Sequence, residues 1–222
     1  MEALGQRLRA GLNSLGLNTT DNQQTQLLSY LNLIQKWTRV YNLTALRDPT
    51  EMLTHHLFDA LTVVLPLCRV LESLPPPHDR VLDVGSGAGL PGVVIAICCP
   101  DLSVACLDAV GKKAAFIQQA SISLGLKNLR SIHGRIEAER GQYDVLCSRA
   151  FASLKDFTGL SRLATREGGV WMAMKGKVPN QEIDALPADL SAFHVEQLQV
   201  PGLEESRCLV WIAKAAAPNL GG

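Results

Sequence analysis

The 222-residue chain has no excess of charge of either sign: 21 Lys and Arg balance 21 Asp and Glu. Its overall field therefore does not draw in nucleic acid, and any RNA contact must come from a local basic patch. None of the six cysteines forms a C-x-x-C pair, so no zinc or other metal site is expected. Several of them sit in apolar runs, where a free Cys acts as a small core residue. A reducing, cytoplasmic setting is the simple expectation. The opening Met1-Glu2 is not followed by a positive segment and an apolar core, so export is not expected. No apolar run reaches the ~20 residues that cross a bilayer. G-x-S-x-G, H-E-x-x-H and G-x-x-x-x-G-K-[ST] are all missing, which removes the hydrolase elbow, the zinc protease and the phosphate-binding loop. Internal repeats and long low-complexity tracts are also absent.

What is present is an ordinary globular balance, 47% hydrophobic and 19% charged, with length for one large or two small domains. The organising stretch is residues 80–92, RVLDVGSGAGLPG. Val81, Leu82 and Val84 suit a strand buried on both faces. Gly85, Gly87 and Gly89 permit a tight turn and close approach of a ligand to the backbone. Pro91 suits a first helical position, and such a junction aims backbone N–H groups at one spot. Gly87 to Gly92 also satisfies the G-x-G-x-x-G dinucleotide pattern. Asp83 argues the other way, because a carboxylate at the strand end repels a diphosphate. It suits the cationic end of S-adenosylmethionine. A nicotinamide dinucleotide, or a tight turn with no ligand, remain the alternatives.

Before this stretch the pattern is helical. Leu4, Leu8, Leu12 and Leu15 mark one helix face. Thr20 to Gln23 reads as a capping box ahead of Leu27, Leu31, Ile34 and Trp37. Asp48-Pro49 starts a further helix expected to reach about Leu65. Pro75-Pro76-Pro77 makes a stiff connector. Beyond it strands are expected at 81–84, 103–107, 129–133, 143–147 and 170–174, with helices at 91–99, 112–124 and 154–166. Gly125 and Gly168 are placed as helix C-caps. The alternation predicts a parallel sheet with helices on both faces, finished by an antiparallel hairpin over 193–200 and 207–214. The chain thus divides into a helical extension (1–74), a sheet unit (75–217) and a loose tail (218–222).

In such a sheet the ligand sits beyond the carboxyl ends of the strands. Asp108 ends the second strand and is placed to accept from ribose hydroxyls; capping the next helix is its alternative role. Gly134 to Glu137 follow the third strand, where an adenine edge would lie. Arg149 follows the fourth strand and Lys175 the fifth. With Arg135, Lys112, Lys113 and Lys177 they form a basic rim suited to a polyanion, against the plain reading of solvated surface charges. Phe151 is a candidate for stacking on an extruded base, though a core Phe is the commoner use. Cys147 has no base nearby in sequence and reads as core. His56 and Asp59 can share a hydrogen bond on one helix face or simply dock the helix.

Taken together, several blocks resemble the bacterial small-subunit rRNA guanine-N7 methyltransferases, the glucose-inhibited division protein B family. They are Lys36-Trp37, Tyr41 to Thr44, Arg47 to Pro49, His56 to Asp59, Asp83 to Gly92, Leu107-Asp108, Gly111 to Lys113, Ser148 to Leu154 and Met174 to Gly176. The resemblance runs from about Leu27 to Lys214. It implies a Rossmann-like class I methyltransferase sheet with an N-terminal helical extension. It also implies S-adenosylmethionine as methyl donor and N7 of one guanine of 16S ribosomal RNA as acceptor, with naked RNA or the small subunit as partner. Nothing in the sequence demands more than a monomer. By match, Gly85, Leu90, Asp108, Ala109, Ile136, Glu137 and Arg149 would contact the cofactor, while Arg135, Arg149 and Lys175 would face RNA or the target base. Ala60 stands where Ser is frequent, and Ser86-Gly87-Ala88 where Thr-Gly-Pro is frequent. Both departures touch only local hydrogen bonds.

Overall fold

The computed structural model describes residues 2–149, 151 and 153–215. Ala150 and Ala152 of the motif after the fourth strand, and the tail expected at 218–222, lie outside the described residues.

Helix α1 (Glu2–Ser14) buries Leu8 and Leu12. Helix α2 (Asp21–Tyr41) begins at the expected capping box: the Gln23 amide donates to Thr20 Oγ1, and Gln23 Oε1 accepts from the Thr20 amide. It ends where Asn42 turns left-handed at φ 51°, a conformation Asn tolerates better than most residues. Asp48 caps α3 (Pro49–Met52) by accepting from the Thr50 and Glu51 amides. The single helix expected to reach Leu65 is instead broken. A π-helical stretch spans Leu53–Phe58, and α4 (Asp59–Leu61) and α5 (Val64–Ser73) follow. Wide turns of this kind collect at functional sites, and this one delivers Asp59.

The sheet consists of β1 (Arg80–Val84), β2 (Ser103–Asp108), β3 (Leu129–His133), β4 (Tyr143–Ser148), β5 (Thr165–Lys175), β6 (Leu190–Leu198) and β7 (Arg207–Lys214). Their order is β3-β2-β1-β4-β5-β7-β6. The first five strands are parallel, and β7 runs antiparallel to both β5 and β6. The predicted parallel sheet with its closing hairpin is therefore present. Helices α6 (Gly92–Cys98), α7 (Gly111–Leu124), α8 (Leu154–Ser161) and α9 (Asn180–Asp184) complete the described helices.

Alternation along each strand divides the core in two. Val81, Val104, Val145 and Met172 face α6, α7 and the N-terminal helices. Leu82, Leu146, Trp171 and Ala173 face the other way, toward Leu154 and Phe157 of α8. The N-terminal helices have no core of their own, since Leu8, Leu27 and Leu61 pack in the same cluster as Val93 and Trp211.

Two expectations change. Gly125 does cap α7, with φ +66°, but Gly168 caps no helix. It lies inside β5 at φ +72°, because α8 ends at Ser161 and a 3-10 turn leads straight into the strand. Gly168 and Gly169 instead fill a register irregularity between β4 and β5. A Cβ on Gly169 would lie 2.9 Å from the Tyr143 carbonyl oxygen, so only Gly fits. Pro91 stands at the cap of α6 rather than inside its first turn.

Candidate functional site

The order of the strands reverses between the neighbours β1 and β4, with β2 on the far side of β1 and β5 on the far side of β4. Crevices at such switch points hold ligands in open α/β sheets. Beyond β1 the glycine loop folds over its own backbone. The Gly85 and Ser86 amides donate to the Leu107 carbonyl, and the Gly89 and Leu90 amides to the Ser86 carbonyl. The Gly87 amide donates to Asp108 Oδ2 at 2.9 Å. The loop was expected to aim free N–H groups at a ligand; these five are satisfied internally. A diphosphate could claim them only by breaking bonds already made, at a cost that a buried polar group makes steep. This disfavours a dinucleotide more firmly than charge does.

The glycines divide by role. Gly85 (φ +66°) and Gly87 (φ +59°) have nothing within 4 Å of a built Cβ. They open onto free space, a cradle that a side chain would fill. Gly89 faces inward, and a Cβ there would meet Val93 Cγ2 at 2.5 Å. Leu90 is buried in the core. Gly89 and Leu90 therefore shape the loop from behind, whereas Gly85 and Gly87 face a ligand.

Asp83 is fully buried. Its Oδ2 accepts from the Gly92 amide at 2.8 Å, holding the start of α6, and its Oδ1 has no partner. Burial pushes its carboxyl up to about 7, against the Gly92 bond and the Arg149 charge, which pull it down. The full negative charge assigned to Asp83 from sequence is therefore reduced near neutral pH. The carboxyl beside the open glycines belongs to Asp108. Its Oδ1 accepts from the Val110 amide at 2.8 Å, which braces the start of α7, while Oδ2 holds Gly87. The ribose position and the capping alternative therefore coincide in one residue.

Ala109 is exposed next to Asp108, and beyond β3 a 3-10 turn sets Ile136 inward and Glu137 outward. Arg135 is exposed in that loop. Lys113 Nζ stands 4.0 Å from Asp108 Oδ2, and the Lys112 ammonium lies over the Tyr41 ring, 5.5 Å from its centroid.

Across the switch point Arg149 leaves β4 and turns toward the π-helical stretch. Its Nη1 donates to Asp59 Oδ2 at 3.4 Å and to the His55 carbonyl at 3.3 Å. Arg207 Nε donates to Asp59 Oδ1 at 3.1 Å. One buried carboxylate thus holds two guanidinium groups. Of the two readings of His56 and Asp59, the shared hydrogen bond is not made. His56 Nε2 lies 2.9 Å from Thr44 Oγ1, and burial, then Arg149, holds the imidazole down at about 4.

Lys175 is held by Glu182, with Nζ 2.8 Å from Oε2, and Lys177 is exposed just beyond. Phe151 packs on Phe157, ring centroids 5.5 Å apart, which is the core use rather than a base platform. Cys147 and Cys106 are buried, and burial drives both thiols well up from their usual range, so neither is poised as a nucleophile.

Arg207 was not found from sequence. An antiparallel strand begins at the edge where its parallel neighbours end, and Lys175 of β5 pairs with Cys208 of β7. That pairing puts the first residue of β7 on the ligand edge. The closing hairpin was the signal that pointed there.

Among the described residues, no helix is long and apolar enough to cross a membrane. In fold the chain is similar to a solved S-adenosylmethionine-dependent methyltransferase from Aquifex aeolicus, at a TM-score of 0.51 and 15% identity over 74% of this chain and 97% of that one. In sequence it is 59% identical to the ribosomal RNA small subunit methyltransferase G of Acidovorax sp. strain JS42, over 94% of this chain and 95% of that protein. It is 58% identical to the protein of the same name from Polaromonas sp. strain JS666, over 97% and 96% of the two chains. The family described as GidB, rRNA small subunit methyltransferase G, matches residues 23–210. With the glycine cradle and the arginine pair both inside that span, the chain belongs to the GidB family.

Proposed function

We propose that this protein transfers a methyl group from S-adenosylmethionine to N7 of one guanine in 16S ribosomal RNA, as naked RNA or in the small subunit. The observation that carries the reading is the open pair Gly85 and Gly87 beside Asp108, in a chain of this family.

The methyl donor supplies an electrophilic methyl group on a sulfonium centre. Everything else falls to the chain. Gly85 and Gly87 leave room for the donor against the backbone. Asp108 offers its carboxylate to the ribose, Ala109, Ile136 and Glu137 border the adenine, and Asp83 adds partial negative charge behind the sulfonium. Gly89 and Leu90 set the loop's shape. Arg149 and Lys175 position the guanine, while Arg135, Lys112, Lys113 and Lys177 meet RNA phosphates.

N7 of guanine has a free lone pair and no proton to lose. A general base is therefore unnecessary, in keeping with the neutral His56 and the high thiols. Rate enhancement rests on holding N7 in line with the methyl–sulfur bond, an orientation effect of ~7–11 kcal/mol in favourable cases. Acceptor groups near the base offset the positive charge it gains. In this reading residues 75–217 carry the chemistry, residues 1–74 brace Arg149 through Asp59, and the protein works as a cytoplasmic monomer.

Transfer of labelled methyl from S-adenosylmethionine to 16S RNA or small subunits tests the proposal, with the product mapped by mass. Arg149→Ala should reduce transfer at least 100-fold while the chain stays folded. Full turnover by that variant removes Arg149 from the site. Tight binding of a nicotinamide dinucleotide with none of the sulfonium compound would overturn the whole reading, and RNA binding without any transfer would leave only a binding protein.

A further inference from the structure

The chain is neutral overall, yet its charges are segregated. From Asn22 to Arg47 there are three Lys or Arg and no Asp or Glu. From Ala109 to Ile136 there are five and again no acid. The first segment is most of α2 and its C-terminal loop; the second contains all of α7.

The fold lays these two segments side by side, in opposite directions. Near the start of α2, Gln26 Nε2 donates to the Leu124 carbonyl at the end of α7. Near the end of α2, Tyr41 meets Lys112 at the start of α7. Between those points Trp37 packs edge-on to Phe116, centroids 5.4 Å apart. Trp37 also supports Tyr41 at 5.0 Å. Lys36, Arg39 and Lys112 make no ion pair among the described residues. Arg47 bonds only the Thr38 carbonyl and Asn42 Oδ1.

At the Tyr41 end the same face exposes apolar surface: Val40 is 69% exposed, Val110 48% and Tyr41 45%. Such a cluster on a soluble surface calls for a partner. Unpaired cations around an exposed, braced aromatic ring are the combination that binds single-stranded nucleic acid, with cations along the phosphates and a ring for a base to stack on. The face begins at the proposed site, because Val110 directly follows the Asp108-Ala109 pair and Lys113 reaches Asp108. Helix α7 runs ~21 Å from that end, with its two lysines, Lys112 and Lys113, both in the first turn.

We infer that the α2–α7 face is a second RNA-contacting surface, on which a single-stranded segment next to the target guanine lies with one base stacked on Tyr41 and its phosphates beside Lys36 and Lys112. The inference rests on the activity proposed above and extends it to the helical segment, which would then take part in choosing the substrate as well as bracing Arg149.

Steady-state transfer to naked 16S RNA and to small subunits, over a range of salt, tests it in the full-length protein. Tyr41→Ala should raise KM for RNA about tenfold, the scale of one lost base stack, with kcat and S-adenosylmethionine affinity unchanged. Tyr41→Phe should restore the KM. Lys36→Glu should raise KM and flatten its salt dependence by about one phosphate contact. Both positions are exposed, and matching thermal unfolding would show that the fold is intact. Wild-type KM and salt slope in both Tyr41→Ala and Lys36→Glu overturns the inference while the activity stands. Loss confined to small subunits, with naked RNA unaffected, overturns it in favour of a protein partner on this face. If the wild type transfers no methyl group to either substrate, the activity itself fails and this inference falls with it.

Discussion

Asp59 and Arg149 meet across the seam between the N-terminal helices and the sheet, Oδ2 to Nη1 at 3.4 Å. On its other oxygen Asp59 holds Arg207. One side chain at the start of α4, directly after the π-helical stretch, therefore sets the reach of two cations at the strand ends. Asp59→Asn keeps the size and leaves both guanidinium groups without their counter-charge. We expect a loss of ~2 kcal/mol in unfolding free energy, below the ~3–5 kcal/mol of a fully buried pair, because both guanidinium groups keep some contact with water. Turnover should fall at least tenfold, with little change in cofactor affinity. Urea unfolding and methyl-transfer rates read the two effects separately, and unchanged turnover would show that Arg149 does not depend on Asp59.

Gly87→Ala separates the cradle from the fold. At φ +59° any side chain is strained by ~1–2 kcal/mol, but the new methyl meets no neighbour. It enters the space proposed for the cofactor, so affinity for S-adenosylmethionine should drop tenfold or more. Gly125→Ala is the control. It carries the same strain at φ +66° with equally open surroundings, but at the far end of α7, and should leave affinity alone. Calorimetric titration of both variants decides the matter.

Asp83 and His56 pull the pH dependence of stability in opposite directions. The Asp83 carboxyl is raised to about 7 when folded, so the folded chain holds a proton that the unfolded chain has lost. Its contribution falls as pH rises from about 4 to 7. His56 is lowered to about 4, so its contribution is complete above about 6.5 and is lost as pH falls toward 4. Asp83→Asn removes only the first effect. The variant's stability relative to wild type should therefore climb between pH 4 and 7, by a few kcal/mol at most at ~1.4 kcal/mol per unit. Denaturant titrations at several pH values measure it. A difference that stays flat would mean Asp83 is ionised throughout.

Gly11 tests the coupling of the first helix to the site. A Cβ there would fall 2.2 Å from Phe58 Cε1, in a packed core beside Asp59. Gly11→Ala should cost ~1–3 kcal/mol by overpacking and also slow transfer, because displacing Phe58 moves its neighbour. Thermal unfolding and turnover of the same preparation check both.

Most of the sheet was readable because its strands are short apolar runs set between helical periods, and β3 has the expected ends, Leu129–His133. The closing hairpin was equally plain. The helical segment was readable at its caps, Thr20 and Asp48, whose side-chain bonds are local. It was not readable at 53–58, because a π-helical winding has no distinct apolar period and is imposed by the packing of Leu53, Leu57 and Phe58. Gly168 was misplaced because a left-handed glycine looks the same in sequence whether it ends a helix or kinks a strand. At the site, Asp108, Arg149 and the glycines were found from their places after strands. Asp59's two arginines are 90 and 148 residues away along the chain, and pairings that distant leave no periodic trace. The electrostatic role given to Asp83 required its burial to be known.

The interior that begins at Leu8 continues unbroken to Trp211. The leading helices are consequently a structural wall and not a detachable lid. Proteolytic loss of α1 and α2 would bare the flank formed by Val93, Ile97 and Ile117, and the remaining sheet would clump rather than survive as a smaller enzyme. Any control of this protein that acts through its first seventy residues must work by subtle shifts in packing, since outright release would destroy it.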